Sequence, residues 1–254
     1  MMAIKKSDIK QAKLMLKISE KYTKKYTRII RSRRQATIDK TVQAFERTGS
    51  EKVIDDINEP YLKPLLKQLY LSVAAEIGTL QLSSFGQKAS IEKQSWYKKV
   101  AAYIDAEVGE KVKTISETFK DDFLRVIKFE TTAAQAESLG INVIAKNVNA
   151  KMTELLGWQS LRIAQTEVLS AASVAQNESV KSVGAPYQKT WVAAMINTRH
   201  SHKAMHGTIA KNDGMFVLPD GSKMEYPRDA RFGAPAGEII NCQCFVIYEP
   251  KRDW

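Results

Sequence analysis

The spacing of apolar residues, and the point where that spacing changes, constrains the fold of this chain more than any other feature. Apolar residues recur every three or four positions through much of the first 183 residues, which predicts amphipathic helices. Gly184 and Pro186 end the pattern, since glycine closes helices and proline cannot continue them. Short β-branched runs then flank a hairpin signal at Pro219-Asp-Gly-Ser222. The predicted fold class is α+β: a mainly helical amino-terminal body with a small carboxy-terminal module built on an antiparallel sheet.

Prolines and glycines divide the chain into elements. Ser7 and Asp8 are typical of a helix start, and Gly140 interrupts a later helical run. The stripe of apolar residues from Val108 to Ile127 is typical of a protein core or of a face that docks on partner helices. We predict helices over 62–80, 95–129, 141–156 and 159–183, and strands over 189–195, 215–218, 223–226 and 239–248.

The positive charge of the chain is concentrated in its first segment. Residues 1–48 hold 14 Lys and Arg against 4 Asp and Glu, whereas the remaining 206 residues hold 25 against 24. This asymmetry predicts a basic arm that faces nucleic acid or another acidic surface. The alternative is a solvated helix face, because charge alone names no partner. The DNA-binding candidates are Lys13, Lys17, Lys21, Lys24, Lys25, Arg28, Arg31, Arg33 and Arg34.

Length and composition exclude several classes of protein. A chain of 254 residues with 44% apolar residues can bury a core, so wholesale disorder is not expected. No apolar run is long enough to span a membrane. Two cysteines in this length do not indicate a protein held together by disulfides, so we expect a reducing compartment. By composition the chain divides into a basic helical arm (1–48), a helical body (49–130), a helical connector (131–186) and an α+β module (187–254).

Histidine and cysteine are concentrated in one corner of the sequence. His200, His202 and His206 lie within seven residues, and Cys242 and Cys244 lie within three. A short helix around the first group would put the second and third histidines on one face. If 239–248 is a strand, the two thiols point the same way with Cα atoms roughly 7 Å apart. That distance is at the limit for a disulfide, so we expect free thiols.

Two interpretations of this corner involve no catalysis. In the first, which we favour, His202 and His206 hydrogen-bond nearby loops and the two cysteines pack as small apolar groups, with no resident metal or cofactor. In the second, the corner binds zinc, to which imidazole and thiolate ligands are suited. The zinc ligands would be His202, His206, Cys242 and Cys244.

In a third interpretation the corner is catalytic. His202 or His206 would act in acid–base chemistry on a phosphodiester or glycosidic bond. The partner would be Glu167, Arg199 or Asp229. Glu167 follows Arg162 by five positions on a predicted helix, which is too far around the helix for the two side chains to pair. Each side chain therefore either reaches the carboxy-terminal module or pairs with a neighbouring helix.

An ordered series of motifs in the second half of the chain resembles a known family. The series is Arg162-Ile-Ala-Gln-Thr-Glu167, Asn177, Lys189-Thr-Trp191, Thr198-Arg-His-Ser-His202, His206-Gly207, Phe216, Pro227 and Asn241-Cys-Gln-Cys244. It is similar to that of the phage Mu protein F-like family, the minor head (head morphogenesis) proteins of tailed phages, over roughly 131–249. The residues that carry the resemblance are Arg162, Thr166, Glu167, Trp191, Arg199, His202, His206, Gly207, Asn241, Cys242 and Cys244.

The resemblance implies a minor capsid protein that sits inside the virion near the portal and passes through the host cytoplasm during assembly. Its implied partners are the portal protein, other head proteins and packaged phage DNA, with a role in DNA ejection and no membrane span. Many members carry Cys-x-x-Cys where this chain has Arg199-His-Ser-His202, so a four-cysteine metal site does not carry over. Because related domains occur in toxins, the alternative is a nuclease- or transferase-like enzyme that uses the His/Cys corner.

Overall fold

Four long helices make up most of the chain. A computed structural model describes the backbone of residues 6–87, 89–195 and 198–251, and the side chains of residues 6–12 and 89–94 lie outside this description. The chain is 68% helical, with a small antiparallel sheet, so the predicted α+β class is confirmed. The long helices are α1 (Lys6–Thr48), α2 (Leu62–Ser84), α3 (Ala89–Ala136) and α4 (Ile141–Val183), with a 3₁₀ turn at Glu51–Ile54.

Glycines set two of the helix boundaries, as predicted, but one predicted break in a helix is absent. α4 begins directly after Gly140 and ends before Gly184, which takes a φ of +71° that favours glycine. The break predicted between 156 and 159 is wrong, because α4 continues through Gly157. A glycine inside a helix costs only about 1 kcal/mol relative to alanine, and buried apolar neighbours on the same helix offset that cost.

The chain forms two compact units, and each of the four long helices contributes a segment to both. The first unit contains residues 1–23, 67–105 and 165–254, and the second contains residues 24–66 and 106–164. The four-segment division made from composition stays a prediction. No helix in the described residues is long and apolar enough to cross a membrane.

The apolar stripe of α3 lies in the core of the second unit. Phe119 and Phe123 pack edge to face, with ring centroids 6.0 Å apart, and both are buried. They belong to a cluster that also includes Phe45 from α1 and Met152 from α4. The stripe is therefore core, and the alternative of a face that docks on partner helices is wrong for its buried residues.

A buried ion pair also belongs to the second unit, and it corrects one DNA-binding candidate. The guanidinium of Arg34 is 2% exposed and donates to both carboxylate oxygens of Glu59. It also donates to the Ile115 carbonyl oxygen, at 3.2 Å. A side chain with these partners is not available to a phosphate, so Arg34 is withdrawn from the DNA-binding candidates.

The small module of the first unit is built on three antiparallel strands. These are β1 (Tyr187–Val192), β2 (Ile209–Lys211) and β5 (Phe245–Pro250), in the order β2-β1-β5. The predicted hairpin is confirmed as β3 (Phe216–Val217) and β4 (Lys223–Met224), with Gly221 at a φ of +86° in the turn. Two short helices complete the module, α5 (His200–Ala204) and α6 (Ala236–Ile239).

The last strand begins later than predicted. β5 starts at Phe245 rather than at 239, because residues 236–239 form α6 after Pro235. Cys242 and Cys244 therefore lie in the connection before the strand, and the spacing expected for a strand does not apply to them.

Candidate functional site

The structure brings one histidine and both cysteines together in the first unit. The Nδ1 atom of His202 lies 3.3 Å from the Sγ atom of Cys242 and 3.4 Å from that of Cys244. His202 lies on α5, and the cysteines lie about forty residues further along the chain. All three side chains are buried, and both cysteines are free thiols.

A local bend in the backbone brings the two sulfur atoms close to His202. Asn241 takes a φ of +59°, a left-handed conformation that asparagine tolerates better than most residues. Its backbone N–H donates to the hydroxyl oxygen of Thr166 on α4, at 3.0 Å. The Cys242 N–H donates to the Ile239 carbonyl oxygen, which closes a turn after α6. This bend replaces the extended geometry that we predicted for Cys242 and Cys244.

The imidazole ring of His202 is held on two sides. The indole of Trp191 meets it edge to face, with ring centroids 5.3 Å apart. On the other side, Nε2 lies 2.8 Å from an oxygen of Glu238, which also accepts a hydrogen bond from Ser201. The Nε2–H bond does not point straight at the carboxylate, so the contact is electrostatic rather than a well-aligned hydrogen bond. The carboxylate nonetheless favours a proton on Nε2, which leaves Nδ1 as the atom that faces the sulfurs.

The other two histidines lie outside this cluster. His200 is exposed at the start of α5, and His206 follows the end of that helix. The Nδ1 atom of His206 accepts a hydrogen bond from the Ala193 backbone N–H, at 3.2 Å. The proposed four-ligand zinc set is therefore wrong in one member, because α5 is too short to carry His206 on the face of His202.

A buried arginine that we did not predict organises the cysteine connection. Nη1 of Arg228 donates to the carbonyl oxygens of Cys242 and Cys244, at 2.8 and 2.7 Å. Nη2 donates to the Leu169 carbonyl oxygen and the Ser173 hydroxyl on α4, at 3.1 and 2.7 Å. Arg228 is 1% exposed and takes a φ of +71°. This side chain ties the cysteine connection to α4.

Of the two buried thiols, one loses its proton easily and the other retains it. A hydrogen bond from Cys244, together with His202 and the Arg228 guanidinium, holds the pKa of Cys242 well below its usual value despite burial. The same sulfur–sulfur hydrogen bond and burial raise the pKa of Cys244. The corner therefore favours one thiolate, located on Cys242 and stabilised by neighbouring donors.

A second group of charges, centred on the buried carboxylate of Glu225, lies elsewhere in the first unit. The carboxylate of Glu225 accepts a hydrogen bond from Arg231, and Lys181 lies 2.5 Å from it. Burial would raise the pKa of Glu225, but these two cations outweigh burial and lower it. The ammonium group of Lys189 is fully buried, 3.9 Å from Glu225, and burial lowers its pKa to about 8. Sequence reasoning noticed Lys189 only as part of a motif.

The catalytic set is not gathered around one point. In the part of the chain that the structure describes, the group of His, Cys, Asp and Glu ligand atoms that converge within 4.8 Å is His202, Cys242 and Cys244. Glu167 accepts a hydrogen bond from the Tyr70 hydroxyl at 2.8 Å, and Asp229 accepts one from the Glu225 backbone.

The remaining named partners also make contacts of their own. Arg199 donates to the Ile240 carbonyl oxygen, and Arg162 stacks on Trp158 in the second unit. Since the three convergent side chains are 0–2% exposed, this geometry gives a substrate no access to them.

The fold and the site define a class: an α+β protein whose helical body precedes a small sheet module that closes a buried cysteine–histidine corner. Residues 125–247, which contain this corner, match the family described as Phage Mu protein F like protein. This segment of the chain belongs to the phage Mu protein F-like family, and the resemblance read from its motifs is confirmed. The family suggests a phage head morphogenesis protein.

A curated relative shares part of the chain. The Uncharacterized protein YqbB of Bacillus subtilis (strain 168) is 34% identical over 87 residues. The match covers 33% of this chain and 28% of the relative, so the chain spans little more than a quarter of the length of the relative that it matches. No solved structure matches the chain significantly.

Proposed function

We propose that this chain is a minor head protein of a tailed phage, located inside the capsid at the portal and in contact with packaged DNA. The family match over residues 125–247 carries this proposal, because that family suggests head morphogenesis. Head proteins as partners and the virion as location agree with the same family. The portal and DNA contacts need support from the surface of the protein.

An exposed apolar surface on α4 supports a contact with another head protein. Trp158 and Leu161, both 46% exposed, lie three residues apart on one helix face. The guanidinium of Arg162 stacks over the Trp158 ring, 4.4 Å from its centroid. Tryptophan and arginine are enriched among the residues that dominate protein interfaces. We assign the portal contact to this surface, within the segment that matches the family.

Exposed basic residues on α1 support the DNA contact. In the first unit Lys13 and Lys17 lie four residues apart, and in the second Arg28 and Arg31 lie three apart, so each pair shares a helix face. Charge of this kind supplies affinity for phosphates without naming a sequence. All the basic candidates other than Arg34 are exposed, namely Lys13, Lys17, Lys21, Lys24, Lys25, Arg28, Arg31 and Arg33.

The head assignment is tested by co-expression with the portal and major capsid proteins of the same phage. We expect the full chain in purified procapsids at low copy. The double substitution Trp158→Ala/Leu161→Ala should lower incorporation without unfolding the protein, because both side chains are half exposed. Val217→Ala, which removes apolar area from an exposed side chain of β3, is the matched control. Particles that never contain the chain would contradict the proposal.

The DNA contact is tested separately by the salt dependence of duplex binding. Lys13→Gln/Lys17→Gln should weaken binding and reduce the slope of log K against log salt by about 0.9 for each phosphate that the variant no longer neutralises. Lys113→Gln/Lys146→Gln removes the same charge from exposed positions outside α1. Equally weakened binding in both double variants would show that α1 makes no specific contribution.

A further inference from the structure

Three atoms of the types that zinc prefers converge in the buried corner of the module. We propose that His202 Nδ1, Cys242 Sγ and Cys244 Sγ bind one Zn²⁺ ion. The nitrogen lies 3.3 and 3.4 Å from the two sulfurs, and all three atoms lie within 4.8 Å of one another. Zinc bonds of about 2.3 Å to sulfur and 2.0–2.1 Å to nitrogen, at a tetrahedral angle, separate the two ligand atoms by about 3.5 Å. The side chains already have the spacing of a shared ion.

The surroundings of His202 prepare its Nδ1 atom for a metal. The carboxylate of Glu238 lies against Nε2, on the far side of the ring, and favours a proton there. Carboxylate partners of this kind orient the histidines that bind metals and increase their basicity. Because the imidazole separates Glu238 from the sulfurs, we assign this residue to positioning rather than to binding.

The charges of the corner balance when an ion is bound. Two thiolates, a neutral imidazole and Zn²⁺ give a complex with no net charge. The guanidinium of Arg228, 3.6 Å from the Cys242 sulfur, then faces a neutral complex rather than a cation. Its hydrogen bonds to the carbonyl oxygens of Cys242 and Cys244 fix the backbone that carries both sulfur ligands.

The site would act as a cross-link within the module. It joins α5 to the connection before β5, between residues separated by 40 and 42 positions in the sequence. Three protein ligands are the number with which zinc retains a position for water, but the burial of all three favours a structural role. The proposal replaces our expectation from the sequence that the chain has no resident metal. It also removes His206 from the ligand set, and no other side chain takes its place.

The experiment begins with the full chain purified without chelators. Elemental analysis should find about one zinc per chain, the stoichiometry of a single structural site. Replacement by Co²⁺ should give the strong visible absorption of a tetrahedral site and the near-ultraviolet band of thiolate–cobalt bonds. A wild-type protein that contains no zinc and gives no such bands with added Co²⁺ would overturn the proposal.

Variants identify the ligands. His202→Asn and Cys244→Ser should lose the ion, whereas His200→Asn, which removes an exposed histidine two positions away, should retain it. Glu238→Gln should keep the absorption bands but weaken zinc affinity by roughly 10–100-fold, as expected for a residue that positions a ligand. Zinc retained in a Cys242→Ser/Cys244→Ser double variant would also overturn the proposal.

A measurement on the wild-type protein guards against variants that fail to fold. Thiol reagents should modify Cys242 and Cys244 slowly in the native protein and much faster after zinc is removed by a chelator. His202→Asn, if folded, should react at the fast rate without chelator. If chelation changes neither the thiol reactivity nor the thermal stability of the wild-type protein, the corner holds no metal.

Discussion

Arg34 and Glu59 form a bidentate ion pair that is almost completely buried. Their side chains are 2% and 1% exposed, and the two nitrogen–oxygen distances are 2.9 and 3.0 Å. The Arg34 guanidinium also lies over the Phe119 ring, 4.3 Å from its centroid. Part of the positive charge near the start of the chain is therefore neutralised inside the second unit rather than by a partner.

Breaking this pair from one side should be costly. Glu59→Leu leaves the Arg34 charge buried without its carboxylate, which typically lowers the free energy of unfolding by about 3–5 kcal/mol. Asp105→Ala, which removes an exposed ion pair with Lys67, should cost less than about 1 kcal/mol. Denaturant unfolding of both variants measures the difference. Equal destabilisation would show that the buried pair contributes no more than a surface pair.

Lys189 should make stability depend on pH in the alkaline range. Burial lowers its pKa from 10.5 to about 8, only partly opposed by Glu225. Because the folded pKa lies below the unfolded one, burial of this group is most costly below pH 8, and the cost falls as the pH rises toward 10.5.

Lys189→Met should therefore be more stable than the wild type at neutral pH, by on the order of 3 kcal/mol. The gain should shrink as the pH rises through the window between the two pKa values. Denaturant unfolding of both proteins over that range gives the comparison, in which other titrating groups largely cancel. The exposed Lys211→Met is the control and should show no such trend. A constant difference between Lys189→Met and wild type would contradict the assignment of a lowered pKa.

Two glycines inside helices should respond to alanine in opposite directions. A Cβ atom at Gly78 would lie 2.2 Å from the buried ring of Trp96, so Gly78→Ala should destabilise the first unit by about 1–3 kcal/mol. A Cβ atom at Gly157 would meet nothing within 4 Å, so Gly157→Ala should stabilise α4 by roughly 0.5–1 kcal/mol. Thermal unfolding of the two variants tests both signs. A stabilising Gly78→Ala would show that the Trp96 ring moves at little cost.

Arg228 should be essential to the module. Arg228→Met leaves buried carbonyl oxygens of the cysteine connection and of α4 without donors, which should cost on the order of 3 kcal/mol or more. Arg125→Met removes a largely exposed guanidinium and should change the stability by less than about 1 kcal/mol. Hydrogen exchange of the module amides, compared with those of α1, would localise the effect. Uniform exchange throughout the protein after Arg228→Met would contradict a local role.

The sequence predicted the order of helices and strands because local rules decide those features. Gly140 and Gly184 mark real boundaries, and Gly184 needs a backbone conformation that few other residues adopt at low cost. The break predicted between 156 and 159 was wrong, because tertiary packing of a 43-residue helix outweighs the small local cost of Gly157.

The candidate site was predictable only in its residue types. The apolar and β-branched run over 239–248 predicted a strand from 239 onward, but the backbone first turns through a left-handed Asn241, whose N–H donates to Thr166, 75 positions earlier. The carboxylate beside His202 and the arginine behind the cysteines come from other parts of the chain. Spacing along the sequence carries no signal for such contacts, so neither Glu238 nor Arg228 could be chosen in advance.

The pairing of the first and last strands of the module determines how it responds to mechanical force. The ladder between β1 and β5 runs from Tyr187 opposite Pro250 to Val192 opposite Phe245. The chain enters β1 and leaves β5 at the same end of this ladder, so tension between those two points breaks the cross-strand hydrogen bonds one after another rather than together. Such a ladder unzips at lower force than one loaded in shear. Because the Phe245 end opens last, a protein pulled by its carboxy-terminal segment would keep the corner at Cys244 closed until the final step.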